Sequence, residues 1–197
     1  MPKAPDDMLL LLAEAIDSRE ELAAGSSLRV MEHAGRFGKA LKLGAKDQRA
    51  LERGALLRDI GKIRVPNSVL LKYTILTHDE WVLIRKHTHL GGDLVKIIPS
   101  LKDIEPIVRF HHECWDGTGY PDGLEGKKIP RLAHIVRIVD VFCAMTARRS
   151  YRKNIHSAGD ALAHIKSESG KHFAPDLVKA FIDAKIGKAE KEKARKR

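Results

Sequence analysis

Three stretches of the chain concentrate residues able to hold a metal ion or move a proton. His111 to Gly123 reads HHECWDGTGYPDG: two adjacent imidazoles and a carboxylate, then a loop with three glycines, a Tyr-Pro pair and two aspartates. Leu56 to Lys62 reads LLRDIGK and sets Asp59 on the inner side of an apolar helix end. Asp140 interrupts IVRIVDVF, a run otherwise suited to a core. Burying an unpaired carboxylate costs several kcal/mol, so each aspartate needs a cation or hydrogen-bond donors. Imidazole together with carboxylate is a ligand set for zinc, manganese or iron. Arginines such as Arg58 and Arg137 would satisfy the same carboxylates as plain ion pairs. Taken with His87 and the glycine-rich loop, the residues favour a site.

The remaining histidines carry less. His33, His78, His134, His156, His164 and His172 occupy mostly polar or isolated positions and read as surface or internally satisfied residues. His89 lies two residues past His87 and therefore faces another way on a helix.

Helical periodicity supplies the elements that must position these groups. Apolar residues recur at helical spacing over Asp7 to Leu22 and Leu28 to Leu43. Asp47 is placed to cap a helix carrying Leu51, Ala55, Leu56 and Ile60 on one face, with Gly61 as its stop. Val65-Pro66-Asn67 reads as a turn. Thr77 opens a capping box with Glu80 and a helix through Trp81 to His87. Further helices fit Gly91 to Ile98, Ile104 to Glu113, Leu132 to Thr146, Ser157 to Ser169 and Pro175 to Ile186. No alternating strand pair and no internal repeat is visible. The fold class is all-α, with one ordered excursion from Asp116 to Pro130, whose Gly-Tyr-Pro-Asp-Gly chemistry favours tight turns. Gly117, Gly119 and Gly123 are expected to supply turn conformations that side chains forbid.

The bulk properties set bounds. A chain of 197 residues that is 43% hydrophobic and 31% charged fits one domain, taken as residues 1–186, with a basic C-terminal tail at 187–197. The last ten residues hold six basic and two acidic side chains, so they supply +4 of the net +10. With that tail set aside and no binding motif beside it, nucleic acid is not expected as a partner. The longest apolar run, Met8 to Ala13, is far too short to span a bilayer and lacks the basic start of a signal peptide, so no membrane is expected. A cytoplasmic location is expected, and two cysteines fit a reducing compartment.

At this point a family resemblance becomes specific. DIGKIRVP at 59–66, His87 in IRKHTHLG, HHECWDGTGYPDGLEGKKIP at 111–130, IVDVF at 138–142 and RRSYR at 148–152 resemble the HD-GYP family in order and spacing. That family comprises bacterial HD-superfamily metal phosphohydrolases known as cyclic di-GMP phosphodiesterases. The resemblance covers roughly residues 8 to 183, and it implies an HD-superfamily helical bundle with an ordered GYP loop.

Carried over position by position, the resemblance implies metal ligation by Asp59, His87, His111, His112 and Asp140. It makes Asp59 and Lys62 the catalytic positions, and Lys62, Arg149 and Arg152 the contacts for a nucleotide. Gly119, Tyr120 and Pro121 would shape the pocket lip and offer a surface to a partner protein. The arginines at 148, 149 and 152 read equally well as a solvated helix-end cluster. Two ligand histidines are missing: Ser26 and Arg58 stand in their places.

In the family Asp59 would bridge two metals. One set, Asp59 with His87, His111 and His112, is whole; the other keeps only two carboxylates. Arginine stays protonated and cannot be a ligand, so Arg58 is expected to reach Asp140 or Asp59 as a built-in cation. At most one divalent metal per chain is expected, iron or manganese ahead of zinc. Three readings follow. The favoured one is a degenerate domain that binds metal, cyclic di-GMP or a related nucleotide, or a partner, with little or no hydrolysis. The others are an active metal-dependent phosphodiesterase and a purely structural interaction module.

Overall fold

A computed structural model describes residues 4–20, 25–147 and 156–186, with side chains from residue 7 onward. Ten α-helices run through the described residues, and no strand is present among them. They are α1 (Ala4–Asp17), α2 (Ser26–Ala40), α3 (Ala45–Leu57), α4 (Asn67–Leu70) and α5 (His78–Arg85), followed by α6 (His87–Lys96), α7 (Glu105–Phe110), α8 (Arg131–Thr146), α9 (Ala158–Ser167) and α10 (Pro175–Asp183). Short 3-10 turns at Ile60–Arg64, Pro99–Ile104 and Gly126–Lys128 join them. The basic tail, Leu22, and the arginine cluster with Arg149 and Arg152 lie outside the described residues.

Helix α8 is the centre of the bundle. Its buried side chains include Ile135, Val136, Ile138, Val139 and Phe142, and it packs against α2, α3, α7 and α9. Phe142 meets Phe181 edge to face at 5.5 Å between ring centres, and Phe181 meets Phe37 at 5.0 Å. A helix wrapped by neighbours on most sides reads as a nearly continuous apolar run, which is why the only carboxylate inside it stands out.

The structure corrects several local expectations. Helix α3 starts two residues before Asp47, with Gly44 at the cap, so Asp47 lies in the first turn and favours the helix through its charge. That helix ends at Leu57, well before Gly61. The chain then tightens into the 3-10 turn, held by Lys62 N–H donating to the Asp59 carbonyl at 2.9 Å. Gly61 is needed for a different reason: a Cβ there would fall on the His87 carbonyl oxygen. The capping box at Thr77 and Glu80 is present, but the helix it opens stops at Arg85 and a new one begins at His87. Of the histidines expected to be surface or internally satisfied, His33 and His134 are buried. His33 presents its ring edge to Phe142, and His134 lies under Trp115.

Candidate metal centre and cleft

The bundle brings four dispersed residues to one point. Asp59 leads into the first 3-10 turn, His87 is the first residue of α6, and His111 and His112 follow α7 directly. One ligating atom from each of Asp59, His87, His111 and His112 lies within 4.8 Å of the others. Close packing of Gly61 on Gly91 is what lets α6 approach the turn that carries Asp59.

Backbone carbonyls set two of the imidazoles. His87 Nδ1–H donates to the Ile84 carbonyl at 2.7 Å, and His111 Nδ1–H donates to the Val108 carbonyl at 2.8 Å. A carbonyl only accepts, so each Nδ1 carries the proton and each Nε2 keeps a bare lone pair. Both Nε2 atoms are buried and have no hydrogen-bond partner. His87 Nε2 lies 3.5 Å from Asp59 Oδ1. Burial pushes the His111 imidazole down to about 3 and lowers those of His87 and His112 as well. The imidazoles therefore stay neutral at ordinary pH, as metal ligation requires. Orphaned, inward-facing lone pairs next to a carboxylate fit a single divalent cation.

The opposite side of Asp59 is filled by protein. Arg58 is 3% exposed. Its Nε donates to Asp140 Oδ1 at 2.8 Å, and one terminal nitrogen lies 3.3 Å from Asp59 Oδ2. Its Nη1 donates to Ser27 Oγ at 3.3 Å and to the Ala55 carbonyl at 3.2 Å, and its Nη2 donates to Ser26 Oγ at 3.4 Å. Burial alone would weaken this guanidinium, but Asp140, Asp59 and Asp17 together raise its pKa further. Burial would also raise the Asp59 carboxyl, yet Lys62 and Arg58 hold it well below the usual carboxylate range. With a protonated guanidinium between the two carboxylates, this half does not fit a metal ion.

Of the two arginines weighed as partners for these aspartates, only Arg58 serves. Arg137 donates to His112 Nδ1 at 3.3 Å and to Cys114 Sγ at 3.7 Å.

Lys62 spans the mouth of the site, 2.9 Å from Glu20 and 3.4 Å from Asp59 Oδ1. A cleft of ≈ 130 Å³ opens here, bordered by Glu20, Ser26, Arg58, Asp59, Lys62 and Asp140. Tyr120 closes the other flank, stacked on His112 at 4.8 Å and 20°, with the Arg85 guanidinium 5.1 Å from its ring centre. Gly117 and Gly123 have φ of 79° and 65°, as turn glycines should, whereas Gly119 is required by packing, since a Cβ would fall on the Cys114 nitrogen. The Tyr120–Pro121 peptide bond is cis.

Three supporting residues carried no distinct signal in the sequence. Glu113 is fully buried and accepts the Asp122 and Leu124 amides at 2.8 and 3.1 Å, so it ties the loop to the His111–His112 corner. Asp17 accepts Ser27 N–H at 2.8 Å and Ser27 Oγ–H at 2.7 Å, anchoring the start of α2 beside Ser26. Arg19 donates to the carbonyls of Lys62 and Val65 and pins the turn that carries Lys62. Each acts beyond the three- and four-residue spacings that helical patterning reports; only the position of Glu113 next to the histidine pair hinted at a role.

Comparison with known proteins agrees with this architecture. The model of the HD domain family matches residues 10–177. The cyclic di-GMP phosphodiesterase response regulator RpfG of Xanthomonas campestris is 36% identical over 178 residues, covering 89% of this chain and 47% of that protein. A cyclic di-GMP phosphodiesterase of Thermotoga maritima is 38% identical over 161 residues, covering 81% of this chain and 42% of that one. The chain thus spans less than half the length of these relatives. The cyclic GMP-AMP specific phosphodiesterase V-cGAP3 of Vibrio cholerae superimposes with a TM-score of 0.69 at 20% identity, covering 89% of this chain and 47% of that one. The HD domain of the L. monocytogenes phosphodiesterase PgpH, in complex with cyclic-di-AMP, gives 0.64 at 18% identity over 98% of this chain and 99% of that one. At such identities these two likenesses bear on the fold alone. No helix among the described residues is long and apolar enough to cross a membrane. HD phosphodiesterases are metal-dependent, and Asp59, His87, His111 and His112 form a cluster that could hold a metal ion. The family match spans most of the helical bundle and includes every residue of the cluster, and the chain belongs to the HD domain family, in its HD-GYP form.

Proposed function

We propose that this chain is a catalytically depleted HD-GYP domain. It holds one divalent metal at Asp59, His87, His111 and His112, binds a cyclic dinucleotide in the adjoining cleft, and hydrolyses it slowly or not at all. The observation that carries the reading is Arg58, a buried guanidinium bonded to Asp140 and facing Asp59, where the family resemblance puts a second cation.

When bound, the metal supplies a Lewis acid for a phosphoryl oxygen. Imidazole and carboxylate ligands suit iron and manganese as well as zinc, and the resemblance favours the first two. The chain's own groups do the rest. Asp59 holds its charge on both sides of the site, because Lys62 and Arg58 stabilise its ionised form. Lys62 offers an ammonium at the cleft mouth for a phosphate oxygen, with Arg149 and Arg152 proposed to join it. Tyr120 screens His112 from water, and the exposed tip of the same loop at Asp122 is left for a protein partner.

The nucleotide class is supported by relatives named for cyclic di-GMP and for 3'3'-cGAMP, both cyclic dinucleotides. Loss of the second metal removes one of the two clamps used for in-line displacement at phosphorus, so turnover should fall by orders of magnitude while binding survives. Calorimetric titration of cyclic di-GMP into manganese-loaded protein, run beside a hydrolysis assay, tests this. Saturable binding with turnover at least about 100-fold below an HD-GYP enzyme with all its ligands is expected. Comparable turnover would move the chain to the active-enzyme reading, and absent binding would leave an interaction module.

A further inference from the structure

Helix α5 touches α4 and α6 yet buries none of its side chains among the described residues. Its sequence is HDEWVLIR, and none of its residues is buried. Trp81 is 48% exposed and Val82 41%, and Leu83 is exposed beside them. Apolar exposure continues in the segment entering the helix, where Ile75 is 93% exposed. The capping box at Thr77 and Glu80 shows that the helix is built to form, and its exposed apolar side chains are covered by nothing among the described residues. Helices of this length owe most of their stability to tertiary packing, so an unpartnered apolar helix face marks an interface.

The charges along that face identify the occupant. Asp79, Val82 and Lys86 follow one another at spacings of three and four, so they share a stripe, and all three are exposed. The stripe is acidic at the helix start, apolar at the middle and basic at the end. Turned by a two-fold axis beside Val82, midway between residues 79 and 86, a second copy would place its Lys86 against Asp79 and its Asp79 against Lys86. Such self-complementarity is what an isologous contact requires. A partner of uniform charge would satisfy only one end of the stripe. We propose that this face is a homodimer interface in which two α5 helices pack antiparallel about Val82. The contact adjoins the site without including it, since Arg85 at the end of α5 lies over Tyr120.

Charge reversal distinguishes this geometry from general stickiness. Mass would be measured for the whole chain by light scattering and sedimentation, from about 1 to about 100 μM. The wild type is expected to move from monomer to dimer across the series. Asp79→Lys alone and Lys86→Asp alone should each remain monomeric, because like charges then meet at both ends of the contact. The double variant Asp79→Lys with Lys86→Asp should dimerise again. Val82→Asp should abolish the dimer with an unchanged helical circular dichroism spectrum. A wild type that stays monomeric throughout would overturn the proposal and leave the face to a different protein. A dimer that survives Val82→Asp, or single and double reversals that behave alike, would overturn it as well.

Discussion

Asp59 faces two halves of one site that are furnished in opposite ways. On the Oδ1 side lie Lys62 and the neutral imidazole cluster of His87, His111 and His112, in which His87 and His111 are buried and their two Nε2 lone pairs unpartnered. Toward Oδ2 lies Arg58, a buried cation already hydrogen-bonded to Asp140, Ser26, Ser27 and the Ala55 carbonyl. The first half is electrostatically incomplete and the second is complete. An incomplete buried site of fixed tautomers is a place for an ion to bind; a completed one is a place where binding has been replaced by an internal ion pair. On the proposed reading the same carboxylate would serve as ligand on one side and as counter-ion on the other.

The sharpest way to break the contrast is to refurnish the second half. Ser26→His with Arg58→His should raise the metal content from one to two per chain. If the regained cation supplies several kcal/mol of transition-state stabilisation, cyclic di-GMP hydrolysis should rise by about 10³-fold or more in a manganese-supplemented assay. In the opposite direction, His111→Ala strips the first half and should weaken manganese binding by at least about 100-fold, read by calorimetry. Arg58→Ala without a replacement leaves Asp59 and Asp140 facing each other uncompensated. A loss of about 3 kcal/mol in urea unfolding is expected, at the lower end for a broken buried pair because both carboxylates retain some access to water.

Acid should separate the halves by a gentler route. In metal-free protein, burial holds His111 down to about 3 and, outside the cluster, His134 down to about 4. The unfolded chain takes up those protons near 6.5, so below that pH it binds more protons than the folded chain and stability falls. Each such histidine contributes a slope of about 1.4 kcal/mol per pH unit from near 6.5 down to its folded value. Asp59 acts in the same direction lower down, since its stabilising ionised form is lost as pH falls below the unfolded carboxylate value. Bound metal should flatten the cluster's share of the curve and leave that of His134, which denaturation followed at a series of pH values can resolve. The smallest effect is assigned to Glu113→Gln, which keeps its shape but has one acceptor oxygen, so one of the two loop amides loses its partner. About 1 kcal/mol is expected in the same unfolding measurement.

The sequence made much of this architecture legible because the relevant signals are local. Helical periodicity found the bundle, the Thr77 capping box was visible as a four-residue pattern, and the adjacency of His111 and His112 to a glycine-rich loop drew attention to the right corner. The resemblance then brought Asp59, His87 and Asp140 together with them. The replaced ligand at Arg58 was legible too, as a cation that had to find a carboxylate.

Long-range contacts were not legible in the same way. The break between α5 and α6 at Lys86 sets His87 at a helix start, yet no proline or glycine announces it. Gly61 looked like a helix stop because a glycine after an apolar run usually is one; its role depends on α6 arriving from 26 residues later in the chain. Arg137, one of the two arginines that could have satisfied Asp59 or Asp140, is carried by the turn of α8 to His112 and Cys114 instead. Glycine 119 teaches the same point, because its backbone needs no unusual φ and only the neighbouring Cys114 amide excludes a side chain.

The most direct test of the account is the number of metal ions per chain, measured by elemental analysis after anaerobic purification with iron and manganese supplied. One ion per chain, lost in His111→Ala and retained in Asp140→Asn, is the predicted result, since Asp140 is committed to Arg58. Two ions per chain in the unaltered protein would contradict it, because the Arg58 half would then be binding a cation that its guanidinium should exclude.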